Sequence, residues 1–118
     1  MTLKECYNAL GGDYNDVMSR LMMEKLVQKF VMKFLSDASY KNLISDMNEK
    51  KYDEAFREAH TLKGVSQNLS FTKLYLSSEA VTEALRAGDY DKAYSLLPQL
   101  EADYEQTVSV INEFSSGV

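Results

Sequence analysis

"REAHTLKGVSQNLS", residues 57–70, holds the only histidine of the chain, His60, with Lys63 and Gly64 just after it. At about 100° per residue, Ala55, Leu62, Val65, Ser66 and Leu69 fall on one side of a helix and His60 falls roughly opposite them. Asp53, Phe56, Arg57, Lys63, Gly64 and Gln67 lie within about 60° of His60. An apolar stripe facing a polar one is the pattern of a helix that buries one face against its neighbours. The stretch therefore predicts a bundle helix with its greasy side inward and His60 turned to solvent.

The rest of the chain has the same grammar. Pro occurs once and Gly five times in 118 residues, a balance that favours helix nearly everywhere and an all-α fold in one domain spanning 1–118. Thr2 and Glu5 have capping-box spacing and "GG" at 11–12 stops a short first helix. Asp13 is expected to cap one long helix to about Asp37, with Val17, Leu21, Leu26, Phe30 and Phe34 as its apolar stripe. Met18, Met22, Met23 and Met32 widen that surface, and core packing is their first expected use. Ser39 or Tyr40 opens a third helix that buries Leu43, Ile44 and Met47 and ends in "NEKK".

Asp53 is expected to cap the fourth helix, which carries the opening stretch to about Leu69. Ser70 or Thr72 starts a fifth that ends at Gly88, with Leu74, Val81 and Leu85 on one side and Tyr75, Glu79, Thr82 and Arg86 on another. Asp89 caps the last, where Pro98 should kink or restart the helix before Leu100, Tyr104, Val108 and Ile111 continue its apolar face. "GGDYND" and "AGDYDK" are read as helix punctuation rather than as a repeat, and the final "SSGV" as frayed. The architecture expected is an up-and-down antiparallel four-helix bundle with an additional short N-terminal helix.

Composition narrows the partners. Lys and Arg number 13 against 18 Asp and Glu, and the net charge of −5 argues against nucleic acid and anionic membranes. The single Cys6 excludes an internal disulfide and a cysteine metal cluster, and it fits an ordinary thiol in a reducing compartment. The N-terminus lacks a basic start followed by an apolar run. A soluble, cytoplasmic, monomeric chain is expected, and the starting Met favours a free-standing protein.

The His60 face offers one kind of chemistry. Gly64 costs about 1 kcal/mol relative to Ala in a helix interior, and one turn from His60 it clears space beside the ring. Lys63 places an ammonium near any anion on the imidazole, Gln67 adds a neutral hydrogen-bonding head, and Phe56 is expected to stand exposed as a docking aromatic. A solvated imidazole is largely unprotonated near neutral pH, and its free lone pair can attack phosphorus. Nothing else on this face supplies a base, an oxyanion hole or a metal cluster, so a phosphoryl group could be held here but its donor must come from a partner.

With these residues in place, "AHTLKG", followed by "GVSQNLS" and preceded by the long helical segment, resembles the histidine-containing phosphotransfer (HPt) domains of bacterial multistep phosphorelays. The resemblance runs from about "LGGDYNDV" to the last helix. It implies an α-helical bundle whose exposed histidine is phosphorylated on Nε2 by the aspartyl phosphate of a receiver domain and then passes the group to another receiver's Asp. Carried onto this sequence, it makes His60 the phosphoacceptor, Lys63 the residue that steadies phosphoryl charge, and Gly64 the opening for the receiver. Gln67 falls where the family often has a small or polar residue. Receivers of hybrid kinases and response regulators are the implied partners, docking through apolar side chains for which Phe56 and the methionines are candidates. Mg²⁺ is expected in the receiver and no cofactor in this chain.

The sequence departs from the family pattern at two places. Ser70 stands where the family usually has Gly, and a serine there could cap the next helix. In several members a Gln or Glu on the next helix orients the ring; gap-free counting reaches Thr82, flanked by Glu79 and Glu83, and all three stay open. A histidine kinase is disfavoured by the lack of a nucleotide loop. A carboxylate-bridged metal bundle is disfavoured because Arg57 stands where Glu-x-x-His would need a Glu. The competing reading is a helical interaction module that binds receivers without transfer.

Overall fold

Thr2 accepts the Glu5 N–H at 3.1 Å while the Glu5 carboxylate accepts the Thr2 N–H at 2.7 Å, and this reciprocal pair starts α1 (Leu3–Leu10). In the computed structural model, which describes residues 1–117, the chain continues through α2 (Tyr14–Leu21), α3 (Glu24–Phe34), α4 (Ser39–Asn48), α5 (Tyr52–Asn68), α6 (Thr72–Arg86) and α7 (Tyr90–Ser116). Among the described residues no strand is present, so the fold class is all-α as the composition predicts.

The punctuation works as expected at both glycine–aspartate junctions. Gly11 (φ +77°) and Gly88 (φ +72°) turn the chain in the left-handed region, where a Cβ is penalised. Asp13 then accepts the Asp16 N–H at 2.9 Å and Asp89 the Lys92 N–H at 3.2 Å, capping α2 and α7.

Four helices, α4 to α7, carry most of the packing, each against the next in sequence. Tyr40 of α4 stacks on Tyr104 of α7 with centroids 4.0 Å apart, and the Tyr94 hydroxyl donates to the Met47 carbonyl at 2.5 Å. Position rises along α4 as it falls along α7, so these two helices run in opposite directions. The pairing of Phe56 with Arg86 sets α5 against α6 in the same way. Leu43, Met47, Ala55, Ala59, Leu62, Leu74, Val81, Leu85, Leu100 and Ile111 are buried between them. The alanines on α5 let its neighbours approach closely.

The N-terminal helices close one end of this core. The Tyr7 hydroxyl donates to the Leu69 carbonyl (2.8 Å) and the Gln106 amide to the Ala9 carbonyl (2.8 Å), while the Asp13 N–H donates to the Ser70 carbonyl (2.8 Å). Gly12 permits the last contact, because a Cβ on it would lie 2.8 Å from that carbonyl. Cys6 lies within this packing, and burial pushes its thiol up to about 11, with Glu113 adding to the effect.

Several sequence expectations are corrected. The long helix expected from Asp13 to Asp37 is two helices, broken where Met22 takes φ +66° and Met23 is extended. A left-handed methionine costs about 1–2 kcal/mol, and no local glycine or proline signals it. The break resets the register: Val27, Val31 and Phe34 are buried, whereas Leu21, Leu26 and Phe30 are only partly so. Met22 and Met23 are 78% and 60% exposed and do not pack in the core.

Lys51, not Asp53, occupies the N-cap of α5, and Asp53 lies in the first turn, where its charge still suits the helix dipole. Ser70 does not cap α6, which starts after Phe71. Ser70 instead takes φ +55° and gives its hydroxyl to Asp16. The helix does not restart at Pro98, which sits on the exposed side of an unbroken α7 between the buried Ala93 and Leu100. Ser115 and Ser116, expected to be frayed, are helical, and Val118 lies outside the described residues.

Candidate functional site

Ala55, Ala59, Leu62 and Ser66 are buried along α5, and this inward stripe turns His60 outward, where it is exposed. Gly64 and Gln67 are exposed on the same side, and Lys63, one turn beyond His60, is half-buried. A Cβ placed on Gly64 would meet nothing within 4 Å, so the surface beside the imidazole is open down to the helix backbone. Val65, expected in the core, is half-buried at the edge of that face.

Phe56 does not stand free as expected. It is half-buried, and its ring lies nearly parallel to that of His60, with centroids 6.0 Å apart and planes inclined by 14°. Arg86, at the end of α6, brings its guanidinium carbon to 4.9 Å from the Phe56 centroid and donates from Nε to Glu83 at 3.3 Å. The cation thus spans from the carboxylate to the aromatic face. Sequence reasoning put Arg86 on the polar side of its helix without assigning it a role. The signal was present: the count that sets Thr82 opposite His60 also sets Arg86 opposite Phe56.

The three residues left open as orienters of the ring are engaged elsewhere. Thr82 is buried and donates to the Ser78 carbonyl at 2.7 Å, so its hydroxyl is spent inside its own helix. Glu79 accepts the Tyr75 hydroxyl at 2.5 Å, a bond that holds the phenol above its ordinary pKa. Glu83 holds Arg86. Among the described residues no hydrogen bond from these three reaches His60.

Beyond Gln67 the face is closed by α2. Arg20 donates to the carbonyls of Gln67 (3.1 Å) and Asn68 (2.6 Å), to Ser70 Oγ (2.7 Å) and to Asp16 (2.6 Å). These carbonyls end α5, and that of Gln67 also accepts the Ser70 N–H at 3.1 Å. Arg20, Gly64, Val65, Gln67 and Asn68 line a groove beside this cap, and the exposed Met22 and Met23 lie just beyond Arg20 in the chain. Neither the cap nor the groove is visible without the break between α2 and α3.

A family model for the Hpt domain matches residues 23–109 of the 118. The chain belongs to the Hpt domain family. Comparison with the curated proteins and with the solved structures returns no match. Hpt domains are helical bundles that act in histidine phosphotransfer within two-component phosphorelays; they are phosphocarriers without kinase activity, and they interact with the receiver domains of relay proteins. The matched segment of this Hpt domain contains α3 to α6, and α1 and α2 lie before it. No described helix is long and apolar enough to cross a membrane, and among the described residues no group of three His, Cys, Asp or Glu could hold a metal ion.

Proposed function

We propose that this Hpt domain is a phosphocarrier that takes a phosphoryl group from a receiver-domain aspartate onto His60 and delivers it to the aspartate of a second receiver. The observation that carries the reading is the surface of α5: its histidine is exposed, with a half-buried lysine and an open glycine one turn away. An acyl phosphate is an activated donor, so the step needs a free imidazole lone pair, access and charge stabilisation rather than a catalytic base.

In this reading the Nε2 lone pair of His60 attacks phosphorus in line with the carboxylate oxygen. The P–N bond forms as the P–O bond breaks, and the aspartate departs as a carboxylate. Delivery is the same sequence reversed on another receiver. Lys63 meets the phosphoryl oxygens with its ammonium, and Gly64 and Gln67 leave room for the incoming loop of the receiver. Met22 and Met23, exposed at the break after α2, offer flexible apolar side chains for docking. The chain contributes no cofactor of its own, the receiver brings Mg²⁺, and the carrier works as a monomer in the cytoplasm.

The test is a two-step transfer. A receiver phosphorylated with radiolabel is mixed with the protein, and an unlabelled second receiver is added afterwards. Label should appear on the wild type within the mixing series and then on the second receiver, and His60→Gln should stay unlabelled. A wild type that binds the receiver and never takes label would make the chain a non-transferring interaction module.

A further inference from the structure

We infer that Phe56, held by Arg86, is the positioning residue that sets the orientation of the His60 ring. The inference rests on the phosphocarrier reading of His60 for its kinetic consequence, and on the geometry of α5 and α6 for its structural one.

An exposed histidine has two free side-chain torsions, and a ring that samples many orientations is seldom aligned for in-line attack. Something must restrict it. A hydrogen bond to the ring is the obvious device, but Thr82, Glu79 and Glu83 are bonded to Ser78, Tyr75 and Arg86 respectively. What stands beside the imidazole is an aromatic ring, its centroid 6.0 Å away. Phe56 and His60 are one turn apart on α5, a spacing that brings side chains together, and their planes differ by only 14°. A near-parallel neighbour limits rotation about the second torsion while leaving both ring nitrogens unblocked, which a hydrogen bond to one of them would not.

The stack is held from the next helix. Arg86 lies over the Phe56 ring at 4.9 Å and is tied to Glu83, and Arg86 itself stands in the last turn of α6, where a cation is favoured by the helix dipole. Phe56 is therefore a half-buried ring pinned between two helices rather than a loose surface aromatic. That restraint passes along α5 to His60 through the near-parallel placement of the two rings.

The test compares wild type with Phe56→Leu, Phe56→Tyr and Arg86→Gln, all checked for native helicity by circular dichroism. Single-turnover label transfer is measured over a range of receiver concentrations, and contacts between the residue-56 ring and the His60 ring protons are measured by NMR in the free protein. Phe56→Leu should lower the rate at saturating receiver by about tenfold with little change in the half-saturating concentration. Phe56→Tyr, which keeps the ring, should recover the wild-type rate to within about twofold, and Arg86→Gln should fall between, at about threefold slower. Phe56→Leu at the wild-type saturating rate, or a loss confined to the half-saturating concentration, would overturn the inference, the latter by making Phe56 a docking contact. A wild type that takes no label but shows the Phe56–His60 contacts would count against the phosphocarrier reading alone. Absence of those contacts in wild type overturns the positioning role whatever the kinetics.

Discussion

The guanidinium of Arg20 donates to the carbonyl of Asn68 across 48 positions of sequence, at 2.6 Å, and so caps α5 from a different helix. One side chain also reaches Gln67, Ser70 and Asp16, a fork geometry that only arginine offers. Arg20→Ala should lower unfolding stability by about 1–2 kcal/mol, because exposed carbonyls recover water but the charged hydrogen bonds are lost. Arg20→Lys should restore less than half of that. Denaturant midpoints of the three proteins measure both, and equal midpoints for wild type and Arg20→Ala would show the cap to be decorative.

The same cluster predicts an acid response. The Ser70 hydroxyl first, and Arg20 second, hold the Asp16 carboxyl below its ordinary pKa. A depressed folded pKa means that stabilisation is complete above the unfolded value of about 3.9 and fades as pH falls through the lower folded value. Asp16→Asn should therefore be less stable than wild type at neutral pH, with the difference shrinking below about pH 4. A difference that stays constant down to pH 2 would assign the effect to shape rather than charge.

Ser66 carries a different liability. Its Oγ is buried on α5 and, among the described residues, has no hydrogen-bond partner. Ser66→Ala removes an unsatisfied hydroxyl and improves helix propensity, so it should raise stability by about 1 kcal/mol. Thermal and urea melts should both move upward, and a fall in either would mean that the hydroxyl is satisfied after all.

Gly64 should show stability and function pulling apart. With nothing within 4 Å of an added Cβ, Gly64→Ala meets no clash and gains about 0.5–1 kcal/mol of helix preference. On the phosphocarrier reading the methyl would stand where the receiver approaches, so label transfer should slow several-fold while the melt rises. A variant that is both more stable and equally fast would remove Gly64 from the docking surface.

The α5 surface was readable from sequence because one helix period separates a continuous apolar stripe from a polar one, and the structure puts Ala55, Leu62, Ser66 and Leu69 inward and His60 outward as that period requires. The break between α2 and α3 was not readable. No glycine or proline marks Met22; the helix stops there while Arg20, just before it, is tied to the distant end of α5. The burial of Thr82 was hidden for another reason. Counting found the right height along α6, but α6 is packed by both α5 and α7, so Ser77, Ser78 and Thr82 lie in a wide buried arc. Their hydroxyls bond carbonyls of the preceding turn, and polar residues satisfied in that way look exposed to a hydropathy pattern. Arg86 and Phe56 were each visible as residues, and the count that sets Thr82 opposite His60 also pairs them, but hydropathy alone gives no reason to join a polar residue to an aromatic one.

Whether His60 carries the phosphoryl group is decided by localising the modification. The protein is phosphorylated by a labelled receiver, digested at alkaline pH and mapped by tandem mass spectrometry. A single phosphate is expected on the peptide containing His60, stable in alkali and lost in acid as a phosphoramidate is, and no modified peptide from His60→Gln. A phosphate mapped to an Asp, Glu, Ser or Tyr, or one that persists in His60→Gln, would contradict it.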